Sequence, residues 1–88
     1  MAAYIVCYDL TNPGRDYQNL YEKIKSYGTW ARVTESNWVI ITPKTAVQLR
    51  DDLLSVMDGN DRLFVVKSGR EAAWHNSRCK NEWLKAQL

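Results

Sequence analysis

The chain has 88 residues, a formal net charge of +2 and a hydrophobic fraction of 45%, which together predict one domain over residues 1–88. A single histidine, the lack of a Cys-x-x-Cys pair and two widely separated cysteines, Cys7 and Cys79, argue against a structural zinc site. Unpaired cysteines, no apolar run near the roughly 18 residues that span a bilayer and no signal-peptide pattern favour a cytoplasmic protein without a membrane partner.

The first predicted element is a strand over Ala3–Tyr8, a run rich in β-branched and aromatic residues. Its continuous apolarity is typical of a central strand that is covered on both faces. A helix follows after a turn, because apolar side chains recur at helical spacing from Tyr17 to Tyr27. Asp16 is the expected N-cap of this helix, and Gly28 is the expected glycine at its C-terminal end.

Strand patterns then recur at Thr29–Thr34, Trp38–Thr42 and Leu63–Lys67, with a helical pattern between the second and the third. The polar residues 35–37 predict a hairpin turn between the first two of these strands. Thr42 before Pro43 predicts the N-cap and first position of the second helix. Residues 58–60, with a glycine at their centre, are expected to end that helix.

A C-terminal extension, residues 68–88, follows a core of residues 3–67. Residues 71–74 fit either a short strand or a helical turn, and residues 80–88 predict a short terminal helix. The core order is strand, helix, strand, strand, helix, strand. This order predicts an α+β, ferredoxin-like βαββαβ fold with an antiparallel sheet. Both core helices should then cover one face of the sheet and leave the other face to a partner.

Aromatic side chains are frequent, with four tryptophans and five tyrosines. Because side chains alternate along a strand, some of these rings must face away from the helices. They could stack on nucleobases, or they could anchor the interface of a homodimer. Phe64 is the one aromatic residue of the last core strand, which favours self-association or core packing. A homodimer is also expected because so short a chain buries little surface alone.

Asp9 directly follows the first strand, where the backbone determines the position of its carboxylate. One interpretation is an Asx-type turn that serves local backbone hydrogen bonds. The other is a ligand for Mg²⁺ or Mn²⁺, ions that prefer oxygen ligands and often take one or two carboxylates plus water. A two-fold axis that pairs two copies of Asp9 would strengthen such a site. The bound ion could then activate water for attack on a phosphodiester.

Charge is unevenly distributed, with a net −2 over residues 1–61 and a net +4 over residues 62–88. A basic C-terminal third can help to hold a polyanion, although an ordinary surface of mixed charge also explains this modest excess. The candidate nucleic-acid-binding residues in this third are Arg70, Arg78 and Lys80.

Three segments resemble the CRISPR-associated Cas-two family, and still more its stand-alone SinR-like relatives, which are related in turn to virulence-associated protein D. The segments are Tyr8-Asp9-Leu10, Lys25-Ser26-Tyr27-Gly28-Thr29 and the hairpin from Arg32 to Ile40. The resemblance covers residues 3–66 and implies a ferredoxin-like homodimer. In that dimer Asp9 faces its symmetry mate and, in some family members, holds a divalent metal for RNA or DNA cleavage. Other members act as DNA-binding scaffolds.

The leading hypothesis is therefore a Cas-two-like dimer with metal-dependent nuclease activity at paired Asp9 residues. Arg15 and Arg32 would assist near the phosphate, and Asn12, close behind Asp9, is a further nucleic-acid-binding candidate. The alternative is a non-catalytic module that binds nucleic acid or a protein through the dimer surface and the basic tail. A third hypothesis is a toxin-like ribonuclease that resembles virulence-associated protein D.

Overall fold

The computed structural model describes residues 1–12, 16–69 and 71–88. These residues form four strands and three helices, in the order β1 (Ala2–Asp9), α1 (Gln18–Lys25), β2 (Thr29–Thr34), β3 (Asn37–Thr42), α2 (Ala46–Leu54), β4 (Arg62–Lys67) and α3 (Asn81–Gln87). All strands predicted for the core and the short terminal helix are confirmed, whereas residues 71–74 form neither a strand nor a helical turn. No helix in the described ranges is long and apolar enough to cross a membrane.

The strands form an antiparallel sheet in the order β2-β3-β1-β4, which makes the protein an α+β fold. β1 is central, as its apolarity predicts: Val6 lies opposite Trp38 of β3 on one side and Val65 of β4 on the other. α1 connects β1 to β2, and α2 connects β3 to β4. Each of these connections passes over one intervening strand of the sheet.

The main core lies between the sheet and the two longer helices. Alternation along β1 turns every second side chain toward the helices. The buried set comes from both layers: Tyr4, Val6, Tyr8, Leu20, Ile24, Trp38, Ile40, Leu49 and Leu53. The indole Nε1 of Trp38 donates a 2.9 Å hydrogen bond to the hydroxyl of Tyr8, so these two aromatic residues have their polar groups paired. Burial raises the pKa of Tyr8, and the phenol therefore stays neutral.

The second face of the sheet was expected to be left open for a partner, but part of it is covered by the chain itself. The C-terminal segment, residues 71–88, packs on the half of this face formed by β2 and β3. Leu84 of α3 is 1% exposed, and it lines a cavity of about 200 Å³ with Trp74 and Val39. The backbone N–H of Arg78 donates a 2.8 Å hydrogen bond to the carbonyl of Val33. The physical reason is burial of apolar surface from the segment's own tryptophan and leucine side chains.

The predicted start of the second helix is wrong. Thr45, and not Thr42, is the N-cap of α2. The Thr45 hydroxyl accepts a 3.2 Å hydrogen bond from the backbone N–H of Gln48, whose side chain accepts one of 3.0 Å from the backbone N–H of Thr45. This capping box satisfies two N–H groups at once, whereas Thr42 is buried at the end of β3.

The predicted start of the first helix also needs correction. Tyr17 is the N-cap of α1, and the carboxylate of Asp16 accepts a 2.9 Å hydrogen bond from the backbone N–H of Gln18. At the other end Ser26 is the C-cap, and Gly28 follows with φ of +92°. A glycine is favoured there because L side chains rarely adopt that backbone conformation.

Candidate nucleic-acid interface

A groove of about 340 Å³ lies beside β2, an edge strand of the sheet. Its lining residues come from β2 and the C-terminal segment: Trp30, Ala31, Arg32, Arg78, Cys79, Lys80 and Trp83. We call it the edge groove. Its described lining combines two tryptophans and three basic side chains, and it includes no acidic residue. Such a composition suits a ligand with both negative charge and flat apolar surface.

The C-terminal segment completes the edge groove because two contacts hold it against the sheet. Near its middle, the backbone bond from Arg78 to Val33 attaches it to β2. Further along, Leu84 is buried beneath α3 and sets the orientation of that helix. Lys80 is the N-cap of α3, so Trp83 lies one turn later and lines the same groove.

Arg32 is held in place on one wall of the groove. Its Nε and Nη2 atoms donate hydrogen bonds of 3.1 and 2.7 Å to the backbone carbonyl of Glu35. Its guanidinium carbon lies 5.0 Å from the ring centre of Tyr21 and 5.2 Å from that of Trp38. Ring faces attract a guanidinium group through their quadrupoles, and these contacts restrict its motion. The side chain is 22% exposed, so part of this fixed charge reaches the groove.

Arg78 and Lys80 are more accessible than Arg32. Arg78 Nη1 lies 3.2 Å from a carboxylate oxygen of Glu35, in an ion pair with 50% and 85% of the two side chains exposed. Lys80 is exposed, and no described acidic side chain forms an ion pair with it. These two cations are therefore available to an anion that enters the groove from solvent.

Asp9 occupies a different place, at the end of β1 beside the edge strand β4. It lies opposite Arg62 in the sheet, and Arg62 Nη1 is 3.7 Å from its Oδ2 atom. Both side chains are largely exposed, at 69% for Asp9 and 79% for Arg62. They border a depression of about 120 Å³ that Phe64 also lines.

Next to Asp9, part of the second sheet face is open and apolar. Cys7 lies opposite Phe64 in the pairing of β1 with β4, on the same face as Asp9 and Arg62. Phe64 is 63% exposed and Val66 is 40% exposed. We call Cys7, Phe64 and Val66 the exposed sheet patch. The side chains of Phe64 and Val66, both from β4, leave apolar surface exposed on this part of the sheet face.

A divalent metal fits this corner only in part. Asp9 supplies a hard carboxylate oxygen, the donor that Mg²⁺ and Mn²⁺ prefer. Within the described residues, however, no group of three or more histidine, cysteine, aspartate or glutamate side chains could hold a metal ion. The described residues of one chain therefore supply fewer than three such ligands at this corner, and further ligands would have to come from water, from substrate or from a second copy.

Asn12 lies in a hydrogen-bonded loop cluster and does not line the edge groove. Its side-chain amide donates a 3.4 Å hydrogen bond to Asp58, and its backbone N–H donates one of 3.3 Å to the hydroxyl of Tyr17. At the centre of this cluster is Asp61, which accepts bonds of 2.8 Å each from Thr11 N–H, Tyr17 Oη and Asp58 N–H. Burial raises the pKa of Asp61, but these donors together outweigh burial and lower it.

The structure thus brings together three of the residues predicted to bind nucleic acid. Arg32, Arg78 and Lys80 line one groove. Asp9 and Asn12 lie outside that lining, and Arg15 and Arg70 fall outside the described residues.

Sequence reasoning missed Trp30 and Trp83 as members of the site. Trp30 precedes Arg32 by two positions, the spacing that places two side chains on one face of a strand. Trp83 follows Lys80 by three positions, the spacing of neighbours on a helix. Each spacing predicts that a tryptophan and a basic residue lie close together. Neither spacing predicts that the pair on β2 and the pair at the start of α3 line the same groove.

No family model matches the chain, and no solved structure matches it significantly.

Proposed function

We propose that this protein binds nucleic acid through the edge groove. The observation that carries the proposal is that Arg32 of β2 lines one groove with Arg78 and Lys80 of the distant C-terminal segment. Guanidinium groups match phosphate oxygens in a bidentate geometry, and a lysine ammonium contributes a mobile point charge. Trp30 and Trp83 add flat apolar surface, which lets the same groove accept bases as well as phosphates.

The distribution of charge along the chain supports the same proposal. Residues 62–88 carry a net +4, against a net −2 for residues 1–61. In the folded chain, Arg78 and Lys80 of this basic third line the same groove as Arg32. Because the groove is concave and its walls have a low dielectric constant, the electrostatic field of these cations is concentrated there. Contacts of this kind are made to the phosphate backbone, so they give affinity without sequence preference.

The fold proposal is a ferredoxin-like domain of the Cas-two kind. The element order and the strand order β2-β3-β1-β4, with each core helix connecting two strands on either side of a third, support a split βαβ arrangement. The resemblance of residues 3–66 to the Cas-two family implies a nucleic-acid ligand as well. That implication agrees with the chemistry of the edge groove.

Binding can be tested by the fluorescence anisotropy of labelled RNA and DNA oligonucleotides at increasing salt. The affinity should fall linearly with salt on a logarithmic plot, because phosphate contacts release counterions. Lys80→Gln should weaken binding and reduce the slope by about 0.7 to 0.9 for one lost phosphate contact. Lys85→Gln is the matched control, since Lys85 is an exposed lysine of α3 that does not line the groove. Equal effects of the two substitutions, or no salt-dependent binding, would overturn the proposal.

A second candidate function is metal-dependent nucleic-acid cleavage by a homodimer. The observation that favours it is the position of Asp9 at the border of the exposed sheet patch, on the same sheet face as Phe64. A second copy that covered this patch would remove Phe64 and Val66 from water. It would also bring another Asp9 to the border of the same interface.

In that dimer, Asp9 from each copy would hold Mg²⁺ or Mn²⁺, as hard oxygen ligands do. The ion would supply Lewis acidity toward a phosphodiester and a water of lowered pKa. Arg62 lies 3.7 Å from Asp9 in the single chain, and in this candidate function its exposed guanidinium would turn from the carboxylate to the substrate phosphate.

Asp9→Asn tests this candidate because it removes the charge and keeps the shape of the side chain. We expect it to abolish cleavage of oligonucleotides in Mg²⁺ or Mn²⁺ and to leave the dimer mass, measured by light scattering, unchanged. Asp51→Asn is the control, at a carboxylate that is 59% exposed on α2. A monomeric wild type, or cleavage by Asp9→Asn at the wild-type rate, would rule this candidate out. A toxin-like ribonuclease would in addition arrest growth when it is expressed.

A further inference from the structure

The two tryptophans of the edge groove differ in what their rings already contact. The ring of Trp30 lies 5.5 Å from that of Trp38, and the ammonium of Lys25 lies 5.4 Å from its centre. These neighbours occupy Trp30 as part of the packing around α1. Trp83 has no ring or cation contact with any described residue, and its side chain is partly exposed.

Trp83 is also mounted on a rigid support. It belongs to α3, and its neighbour Leu84 is 1% exposed beneath that helix. Burial of Leu84 holds α3 against the sheet, so the backbone of Trp83 is fixed at the wall of the groove. A preorganised aromatic surface binds a flat ligand at a low entropy cost. The ring of Trp83 is therefore the accessible stacking surface of the groove.

Two of the basic residues that line the groove, Arg32 and Arg78, already contact a carboxylate, that of Glu35. Glu35 lies 3.2 Å from Arg78 and 3.9 Å from Arg32, so one anionic group contacts both guanidinium ions. The Glu35 side chain is 85% exposed and can turn into solvent when a competing anion arrives. A phosphate offers more acceptor oxygens than a carboxylate does, and it could accept hydrogen bonds from Arg78 in place of Glu35.

We propose that the edge groove holds an unpaired nucleotide, with its base stacked on Trp83 and its phosphate in the position of the Glu35 carboxylate. This inference rests on the proposed function and specifies its ligand as single-stranded RNA or DNA. The groove volume of about 340 Å³ is at the lower end of the range of small-ligand sites and suits one base. In a duplex the base faces are covered by their neighbours, so a stacking site selects unpaired strands.

The test compares one labelled oligonucleotide, as RNA and as DNA, in single-stranded form and annealed to its complement. With wild-type protein, we expect tighter binding of the single strand. Trp83→Leu should weaken single-strand binding roughly 5- to 100-fold, the range for loss of one base–aromatic stack, and should leave duplex binding within about twofold. Trp83→Phe keeps an aromatic ring and should restore much of the affinity.

Trp74→Leu is the matched control, because Trp74 is also partly exposed in the C-terminal segment but lines the cavity behind α3. It should leave the preference for single strands unchanged. If Trp83→Leu does not fold, Trp83→Phe tests the same point. Binding of the single strand should quench the tryptophan fluorescence of the wild type, and the variant should lose the part of this quenching that comes from Trp83. Because Trp30 also lines the groove, quenching in Trp83→Phe that is as large as in the wild type would overturn the inference.

Two further results separate this inference from the proposed function. Salt-dependent binding that is equally strong for duplex and single strand, and indifferent to Trp83, would refute the stacking site and leave the proposed function in place. A wild-type protein that binds neither form would refute both. Loss of binding in Lys80→Gln but not in Trp83→Leu would also refute the stacking site, because charge alone would then explain the affinity.

Discussion

The guanidinium of Arg78 lies 3.2 Å from the carboxylate of Glu35, a residue 43 positions earlier in the chain. This ion pair connects the C-terminal segment to the turn between β2 and β3. Both side chains are at least half exposed, so the pair contributes at most about 1 kcal/mol to the free energy of unfolding. The pair also affects the edge groove, because it partly neutralises a cation that lines the groove.

Glu35→Gln should therefore increase the affinity for nucleic acid. The substitution removes the carboxylate that competes for Arg78, and the gain should reach up to about fivefold at low salt. Anisotropy titrations with a labelled oligonucleotide measure it. Glu22→Gln is the control, because it makes the same charge change at an exposed position of α1. Equal gains in the two variants would attribute the effect to net charge instead of to the ion pair.

Leu84→Ala should destabilise the protein and weaken binding together. Leu84 is 1% exposed between α3 and the sheet, and truncation of such a side chain costs about 2 to 5 kcal/mol. Loss of this anchor releases one wall of the edge groove. Urea unfolding and oligonucleotide titration measure the two effects, with Lys85→Ala on the exposed side of α3 as the control. Wild-type binding by a destabilised Leu84→Ala protein would show that α3 is not needed for the groove.

Acid should unfold the protein partly through Asp61. Hydrogen bonds from Thr11, Tyr17 and Asp58 lower the pKa of this carboxyl in the folded state below its ordinary value of 3.8. A lowered folded pKa means that the stabilisation is complete above the unfolded pKa and is lost as the pH falls through the folded pKa. Thermal unfolding at pH values from neutral downward should therefore show stability falling below about pH 4.

Asp61→Asn should reduce this acid dependence, because the substituted side chain does not titrate. Part of the dependence should persist, since hydrogen bonds from Lys44 and Tyr27 also lower the pKa of Asp52. An identical pH profile for Asp61→Asn and wild type would contradict the role of Asp61.

Phe64→Glu should prevent dimer formation through the exposed sheet patch. Phe64 is 63% exposed in one chain, so a charge there costs little in the monomer but would be buried without a partner in a dimer. Light scattering should give a dimeric mass for the wild type and a monomeric mass for the variant. Leu54→Glu, at an apolar residue of α2 that is 45% exposed, is the control. A dimer that survives Phe64→Glu would place the interface elsewhere.

Much of the fold could be predicted from local pattern. The continuous apolarity of β1 indicated a central strand, and the polar residues 35–37 between two strand patterns indicated the hairpin of β2 and β3. The predicted helix starts were less accurate, because Thr42 and Thr45 are both suitable N-cap residues by type. The choice between them depended on the reciprocal hydrogen bonds with Gln48.

The sequence by itself determined the α+β order of elements, the central position of β1 and the basic character of the C-terminal third. These properties follow from side-chain periodicity and composition, which are local. The tertiary structure decided that the C-terminal segment covers half of the second sheet face. It also decided that Lys80 and Trp83 meet Trp30 and Arg32 in one groove. Contacts between residues so far apart in the chain depend on how apolar surfaces such as that of Leu84 are buried, and no local pattern encodes that choice.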